Sequence, residues 1–320
     1  MGLIEEKNLY TMNFYIWKSV QVTIHKGRKA LRDFFQVKIG RNSSEEHGGI
    51  YNMLFETRGK IAGAIDDAYK LMASQHYKDY ILFIGRGDTI PGLKKQVGTD
   101  CVVDYSLDTY YDKTRSDFYL HYLNRNYRKD GFSYQGEGGI DDLHIELMIY
   151  CHLWDSSYFI KSMCRMASIV SGNGYLWSVD IPWMHRETFM QNKIIDPLKK
   201  SGLEIGNIVE LCYDASVRNA FAHSLYTIDA EQRKISFRPQ KGFKTLSFDE
   251  FQKLFLNSVL LMNLMENALE LNHIEAAKLN GPLTDAFLTP DGAKVQIIGQ
   301  MSKRGTSTFP EFRIVKIKNA

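Results

Sequence analysis

Residues 204–228 read EIGNIVELCYDASVRNAFAHSLYTI, and the fold turns on whether this run is a helix. Ile205, Ile208, Cys212 and Ala215 recur at intervals of three and four, and the stripe extends to Asn219 and Ala222. That period predicts one amphipathic helix over 204–223 with Asn219 on its buried face. A buried amide needs hydrogen-bond partners, which an interface or a site would supply. The next residues, Ser224-Leu225-Tyr226-Thr227-Ile228, turn β-branched, so the helix is expected to close near His223. Tyr226 to Arg238 then reads as two short strands around Ala230-Glu231-Gln232-Arg233.

The flanking segments extend this pattern. From 141 to about 171, Leu143, Leu147, Tyr150, Cys151, Trp154 and Tyr158 recur at helical spacing, and Ser171-Gly172-Asn173-Gly174 ends that element. Residues 184–200 predict a weaker helix disturbed near its end by Pro197. Ser247 and Glu250 form a capping box, after which Phe251, Phe255, Ser258, Met262, Met265 and Leu269 hold one face of a long helix. Four such faces make a bundle, so the chain is expected to be mainly α. The expected division is a region of mixed structure over 1–140, a helical bundle over 141–275, and a C-terminal extension over 276–320. Within the first region Met12 to Ile24 is rich in strand formers, Tyr51 to Ala73 favours helix, and Tyr80 to Ile84 is a buried-strand candidate. In the extension Ala293 to Gly299 and Phe312 to Ile317 predict a hairpin around a polar loop.

Composition narrows the functional classes. Hydrophobic content of 44% with 24% charged residues belongs to a soluble globular protein. Four scattered cysteines, with no CxxC pair, fit reduced thiols in a cytoplasm and give no zinc signature. No stretch approaches a membrane span, and the acidic start MGLIEEKNLY has no apolar signal core. Residues 1–140 hold 20 Lys and Arg against 17 Asp and Glu, and the remaining residues hold 20 of each. A general polyanion-binding surface is therefore not written in the net charge of +3.

The chemistry is concentrated in Arg218-Asn219-Ala220-Phe221-Ala222-His223. Arginine offers a permanent planar fork of donors suited to phosphate, and histidine exchanges a proton near neutral pH. At a helix C-terminus the macrodipole favours the charged imidazole. On a straight helix Asn219 and His223 share a face, while Arg218 and His223 diverge by roughly 140°. Both reach one substrate if the helix ends or bends, or if a second chain supplies part of the site. The plainer readings are an Asp214–Arg218 surface pair at helical spacing and a capping role for His223. On residues alone, site and scaffold both fit. Ser224 and Tyr226, directly after the histidine, and Glu146, on the flank of the first bundle helix, are the supporting candidates.

This segment resembles the signature of the HEPN superfamily (higher eukaryotes and prokaryotes nucleotide-binding), in which an arginine, usually followed by a polar residue, precedes histidine by four to six positions. The resemblance covers about residues 141–275. It implies a HEPN-like bundle with a short hairpin insert and a first helix carrying an acid, here Glu146. It also implies a homodimer that brings two motifs together. The implied activity is a metal-independent endoribonuclease, often a toxin or antiviral effector, sometimes with a neutralising antitoxin or regulatory partner. Arg218, Asn219 and His223 would be the site, with no cofactor. Other members keep the fold as non-catalytic modules that dimerise or bind a nucleotide or a protein.

Two further stretches bear on RNA. Residues 105–134 mix seven tyrosines with Arg115, Arg125 and Arg128, which fits either a stacking platform for RNA or a helix packed by Phe118, Tyr122 and Leu123; packing is the favoured reading. Gly85-Arg86-Gly87-Asp88 lacks the lysine and third glycine of a phosphate loop and reads as a tight turn. Asp100 and Asp104 lack the upstream Gly-Ser of the nucleotidyltransferases that accompany HEPN proteins.

Overall fold

A computed structural model describes residues 46–85, 139–182, 184–238, 242–290, 292–304 and 307–317. The expectations for Met12 to Ile24, for residues 86–88, for Asp100 and Asp104, and for the Tyr/Arg stretch with Arg115, Arg125 and Arg128 lie outside them. The described chain is mainly helical with two small antiparallel sheets. Its helices are α1 (Glu46–Gln75), α2 (Tyr77–Ile84), α3 (Gly139–Asp155), α4 (Ser157–Val170), α5 (Arg186–Met190), α6 (Asp196–Lys200), α7 (Glu204–Cys212), α8 (Ala215–Ala222) and α9 (Phe248–Ala277).

The long helices form where the periodicity predicted them. α9 starts on Ser247, whose side chain accepts from Glu250 N–H while Glu250 reaches back to Ser247 N–H. The six expected face residues of α9 are all buried. Leu143, Leu147, Tyr150, Cys151, Trp154 and Tyr158 are buried as well, although the helix breaks at Ser156, which caps α4 by accepting from Phe159 N–H. Gly172 and Gly174, at φ 78° and 77°, carry the left-handed turns that close this pair. Pro197 sits in the first turn of α6, where its missing N–H is harmless, and a π-helical stretch, Gln191–Ile195, precedes it.

Two expectations fail for reasons of burial and phase. Tyr80 to Ile84 is not a strand but lies in α2. All five residues are buried, so the run shows neither alternation nor a stripe, and an all-round buried helix cannot be told from a buried strand by period. The run over 204–223 is not one helix: it breaks at Tyr213 and Asp214, both in extended geometry, and Asp214 Oδ1 accepts from Ser216 and Val217 N–H to start α8.

The break is held by a buried polar knot. Tyr150 Oη donates to Cys212 O at 3.0 Å and accepts from Asp214 N–H at 2.7 Å. Ser258 Oγ on α9 lies 3.1 Å from Cys212 O and accepts from Trp154 Nε1 at 3.2 Å. Two helices, α3 and α9, thus supply partners to the backbone groups that the break leaves over.

After α8 come β1 (Tyr226–Asp229), β2 (Lys234–Phe237) and β3 (Lys244–Ser247), in spatial order β1-β2-β3, with Tyr226 opposite Phe237. The expected two-stranded insert therefore gains a third strand. The C-terminal sheet pairs β6 (Lys294–Arg304) with β7 (Ser307–Lys316), so the ladder runs on through much of the expected loop. Short strands β4 (Gly281–Pro282) and β5 (Phe287–Leu288) lie on the other side of β6. Ile61 to Ile84 share one hydrophobic core with the bundle and with Val295, Ile297 and Phe312. The described part of the first 140 residues is thus packed on the bundle.

Tyr150→Phe removes one buried and one part-buried hydrogen bond and orphans Asp214 N–H. It is expected to cost about 2–3 kcal/mol, read as a lower denaturation midpoint at unchanged slope.

Candidate functional site

α8 is short, and both of its ends are specified. At the C-terminus Leu225 N–H bonds Ala220 O and Ser224 N–H bonds Phe221 O, with Ser224 left-handed at φ 55°. This is a Schellman closure with serine where glycine is usual. His223 is the cap residue, and its side chain is exposed. The helix therefore closes where the β-branched turn of the sequence predicts, and the imidazole stands in solvent at its end.

Asn219 is also exposed, which corrects its expected place on the buried face. The restart at Asp214 resets the helical phase, so the α8 residues facing the core are Val217 and Ala220. Asn219 Oδ1 accepts from Arg218 Nη1 at 3.0 Å.

Arg218 does not pair with Asp214. That carboxylate caps the helix and takes an ion pair from Lys244. Arg218 instead reaches the end of α3: its Nε and Nη2 lie 2.9 Å and 2.5 Å from Asp155 Oδ1. The same oxygen accepts from Arg186 Nη1 at 2.6 Å, and that nitrogen lies 3.3 Å from Trp154 O. The side chains are 18% (Arg218), 11% (Arg186) and 30% (Asp155) exposed, so the cluster is half sunk in the surface. Three of the five N–H groups of Arg218 are engaged, which leaves two.

Tyr213 packs edge-on against Trp154, with ring centroids 5.2 Å apart. Burial pushes its hydroxyl up to about 12, while Arg218 and Arg186 oppose that rise. Cys151, which lies 3.6 Å from Asp155 Oδ2, is also pushed up to about 12, first by burial. Neither group is ionised near neutral pH.

Of the supporting candidates, Tyr226 shares a 2.7 Å hydrogen bond with His144 Nδ1, and its ring lies 5.6 Å from that of Phe221. It ties β1 to α3 beneath the last turn of α8. Burial raises its hydroxyl. Ser224 serves the helix end through its backbone. Glu146 is buried rather than on an exposed flank. The residues missed from sequence are Asp155, Arg186 and His144. A signal existed for Asp155: an acid in the last turn of a helix opposes the macrodipole and calls for cations.

Large apolar side chains stand exposed around the motif helix. Leu211 lies one turn before Asp214, Leu225 follows the Schellman turn, and Phe243 adjoins Lys244 with Arg238 above its ring. Among the described residues no group of His, Cys, Asp and Glu comes together that could hold a metal ion, and no helix is long and apolar enough to cross a membrane. Comparison with family models, with curated proteins and with solved structures finds no match to this chain.

Two substitutions should act in opposite directions here. Asp155→Ala leaves two half-buried guanidinium groups without their shared acceptor and should cost about 2–3 kcal/mol. Ser224→Gly relieves a left-handed serine and should stabilise by about 0.5–1 kcal/mol. Urea titration of both variants reads the two signs.

Proposed function

We propose that the chain is a HEPN-type, metal-independent endoribonuclease that leaves a 2′,3′-cyclic phosphate. The observation that carries this reading is the arrangement of α8. An arginine is fixed by a carboxylate with two N–H groups to spare, and a histidine stands in solvent at the end of the same helix.

The imidazole of His223 takes the proton of a 2′-hydroxyl, and that oxygen attacks the adjacent phosphorus. The bond to the 5′-oxygen breaks, and this leaving group receives a proton from an imidazolium. Arg218 stabilises the charge that develops on the phosphoryl oxygens, and Asn219 orients its guanidinium through Oδ1. A donor set already held in place needs little reorganisation at the transition state. No step calls for a divalent ion or a cofactor.

Arg218 and His223 leave the α8 axis about 140° apart, so a single chain presents them to different sides. We assign the complete site to a homodimer in which two α8 helices face each other. Isologous pairing repeats each contact and brings arginine and imidazole from both copies together. The exposed Leu211, Leu225 and Phe243 around α8 supply apolar surface for such a contact. A toxin or antiviral-effector role in the cytoplasm, with a neutralising partner, belongs to the same reading.

The purified protein should cleave single-stranded RNA in excess EDTA, and both His223→Ala and Arg218→Ala should reduce the rate at least about 100-fold. Mixing the two inactive variants should restore activity that neither has alone. Cleavage abolished by EDTA, or undiminished in His223→Ala, overturns the mechanism. Active wild type without restoration on mixing overturns the shared site. Folded, dimeric wild type that cleaves no RNA favours the alternative, a non-catalytic dimerisation or binding module.

A further inference from the structure

The Asp155 cluster is unbalanced in a way that a structural ion pair does not need. One carboxylate oxygen is shared by two arginines that come from different elements, Arg186 from the first turn of α5 and Arg218 from the middle of α8. The 2.6 Å and 2.5 Å contacts end on the same oxygen, so the two guanidinium groups meet there. Each keeps N–H groups that this oxygen does not engage. Two fixed positive charges against one negative leave an excess of one. The neighbouring carboxylate is Glu187, exposed and close enough to act on Tyr213.

A lone buried pair would be served as well by one arginine, and sinking a second cation carries a desolvation cost. Paired guanidinium forks match the oxygens of a phosphodiester in both charge and geometry. Asp155 sets the spacing of the pair by holding both on one oxygen. His185, in the left-handed region at φ 58°, delivers Arg186 into α5 and toward Asp155.

We infer that Arg186 is a second phosphate-holding residue and that Arg186 and Arg218, spaced by Asp155, form a two-arginine clamp for one phosphodiester of a single-stranded RNA. The inference rests on the nuclease reading for the identity of the anion, but binding tests it apart from cleavage. Asp155 acts as a positioning residue, because it touches the arginines and not the substrate.

The test is the affinity of a 2′-O-methyl RNA oligomer, which cannot be cleaved, measured by fluorescence anisotropy over a range of salt. Arg186→Gln should bind about 5- to 20-fold more weakly. Its slope of log affinity against log salt should be shallower by about 0.7, the loss of one phosphate contact on a single strand. A merely structural role for Arg186 would leave the slope of folded protein unchanged, so wild-type affinity and slope in folded Arg186→Gln overturn the clamp. Arg186→Lys keeps the charge and an ion pair to Asp155 but loses the fork. It should bind more weakly than wild type at unchanged slope, and it decides the matter if the glutamine variant does not fold. Wild-type affinity in folded Arg186→Lys would then overturn the clamp. Wild type that binds the oligomer but cleaves no RNA, with the expected slope change in Arg186→Gln, sinks the nuclease reading and leaves the clamp standing. Wild type that binds no oligomer sinks the clamp.

Discussion

The placement of α8, and so of Arg218 and His223, depends on two hydrogen bonds of one phenol. Tyr150 Oη donates to Cys212 O and accepts from Asp214 N–H, and so joins the two sides of the break between α7 and α8. A helix that stops in the core exposes carbonyls and N–H groups to a medium that cannot solvate them. With Tyr150 on α3 and the Trp154–Ser258 pair reaching in from α3 and α9, the stop becomes a satisfied junction. Burial raises the Tyr150 hydroxyl well above its ordinary value, which keeps it a neutral donor near neutral pH. The direction of α8, and with it the positions of Arg218 and His223, follows from that junction.

The junction also explains which parts of the site could be read from residues. The long elements were legible because their apolar stripes run for many turns. The faces of α3 and α9 and the capping box at Ser247 are found where the periodicity puts them. Over 204–223 the same method fails locally. Ile205, Ile208, Cys212 and Ala215 keep helical spacing across a point where the backbone is extended, so the stripe carries no trace of the break. Asp214 followed by Ala215-Ser216-Val217 is an N-cap signal, but its competing reading as an i,i+4 partner of Arg218 is equally local. Only the buried partners of the break decide between them, and those lie 46 and 64 residues away. One phase error then moves Asn219 from the core face to solvent.

Charge was less legible than apolar pattern. Arg218 announces itself beside His223, whereas Asp155 and Arg186 sit in HLWDSS and MHRETF without any local peculiarity of spacing. Their roles come from placement: Asp155 ends α3 where the dipole disfavours an anion, and the left-handed His185 turns the chain so that Arg186 meets it. Tyr80 to Ile84 shows the same limit in an apolar setting. Tyr80 donates to Asn272 Oδ1 on α9, a buried bond 192 residues away, and the run is a helix that period alone cannot tell from a strand.

The fixity of Arg218 bears on what its chemistry can be. A flexible surface arginine would lose side-chain entropy on meeting a phosphate. Here that entropy is lost on folding, because Asp155 and Asn219 hold three N–H groups before any ligand arrives. Attraction to an anion falls when a carboxylate shares the cation, and a second arginine on the same oxygen offsets that loss. His223 follows the opposite rule. It stands exposed at a helix end, where in the proposed reaction it would serve both the oxygen that loses a proton and the one that gains it. The proposed nuclease reading asks for a fixed charge stabiliser and a separate proton carrier, and it is supported by an α8 that holds one end of the motif in ion pairs and leaves the other in water.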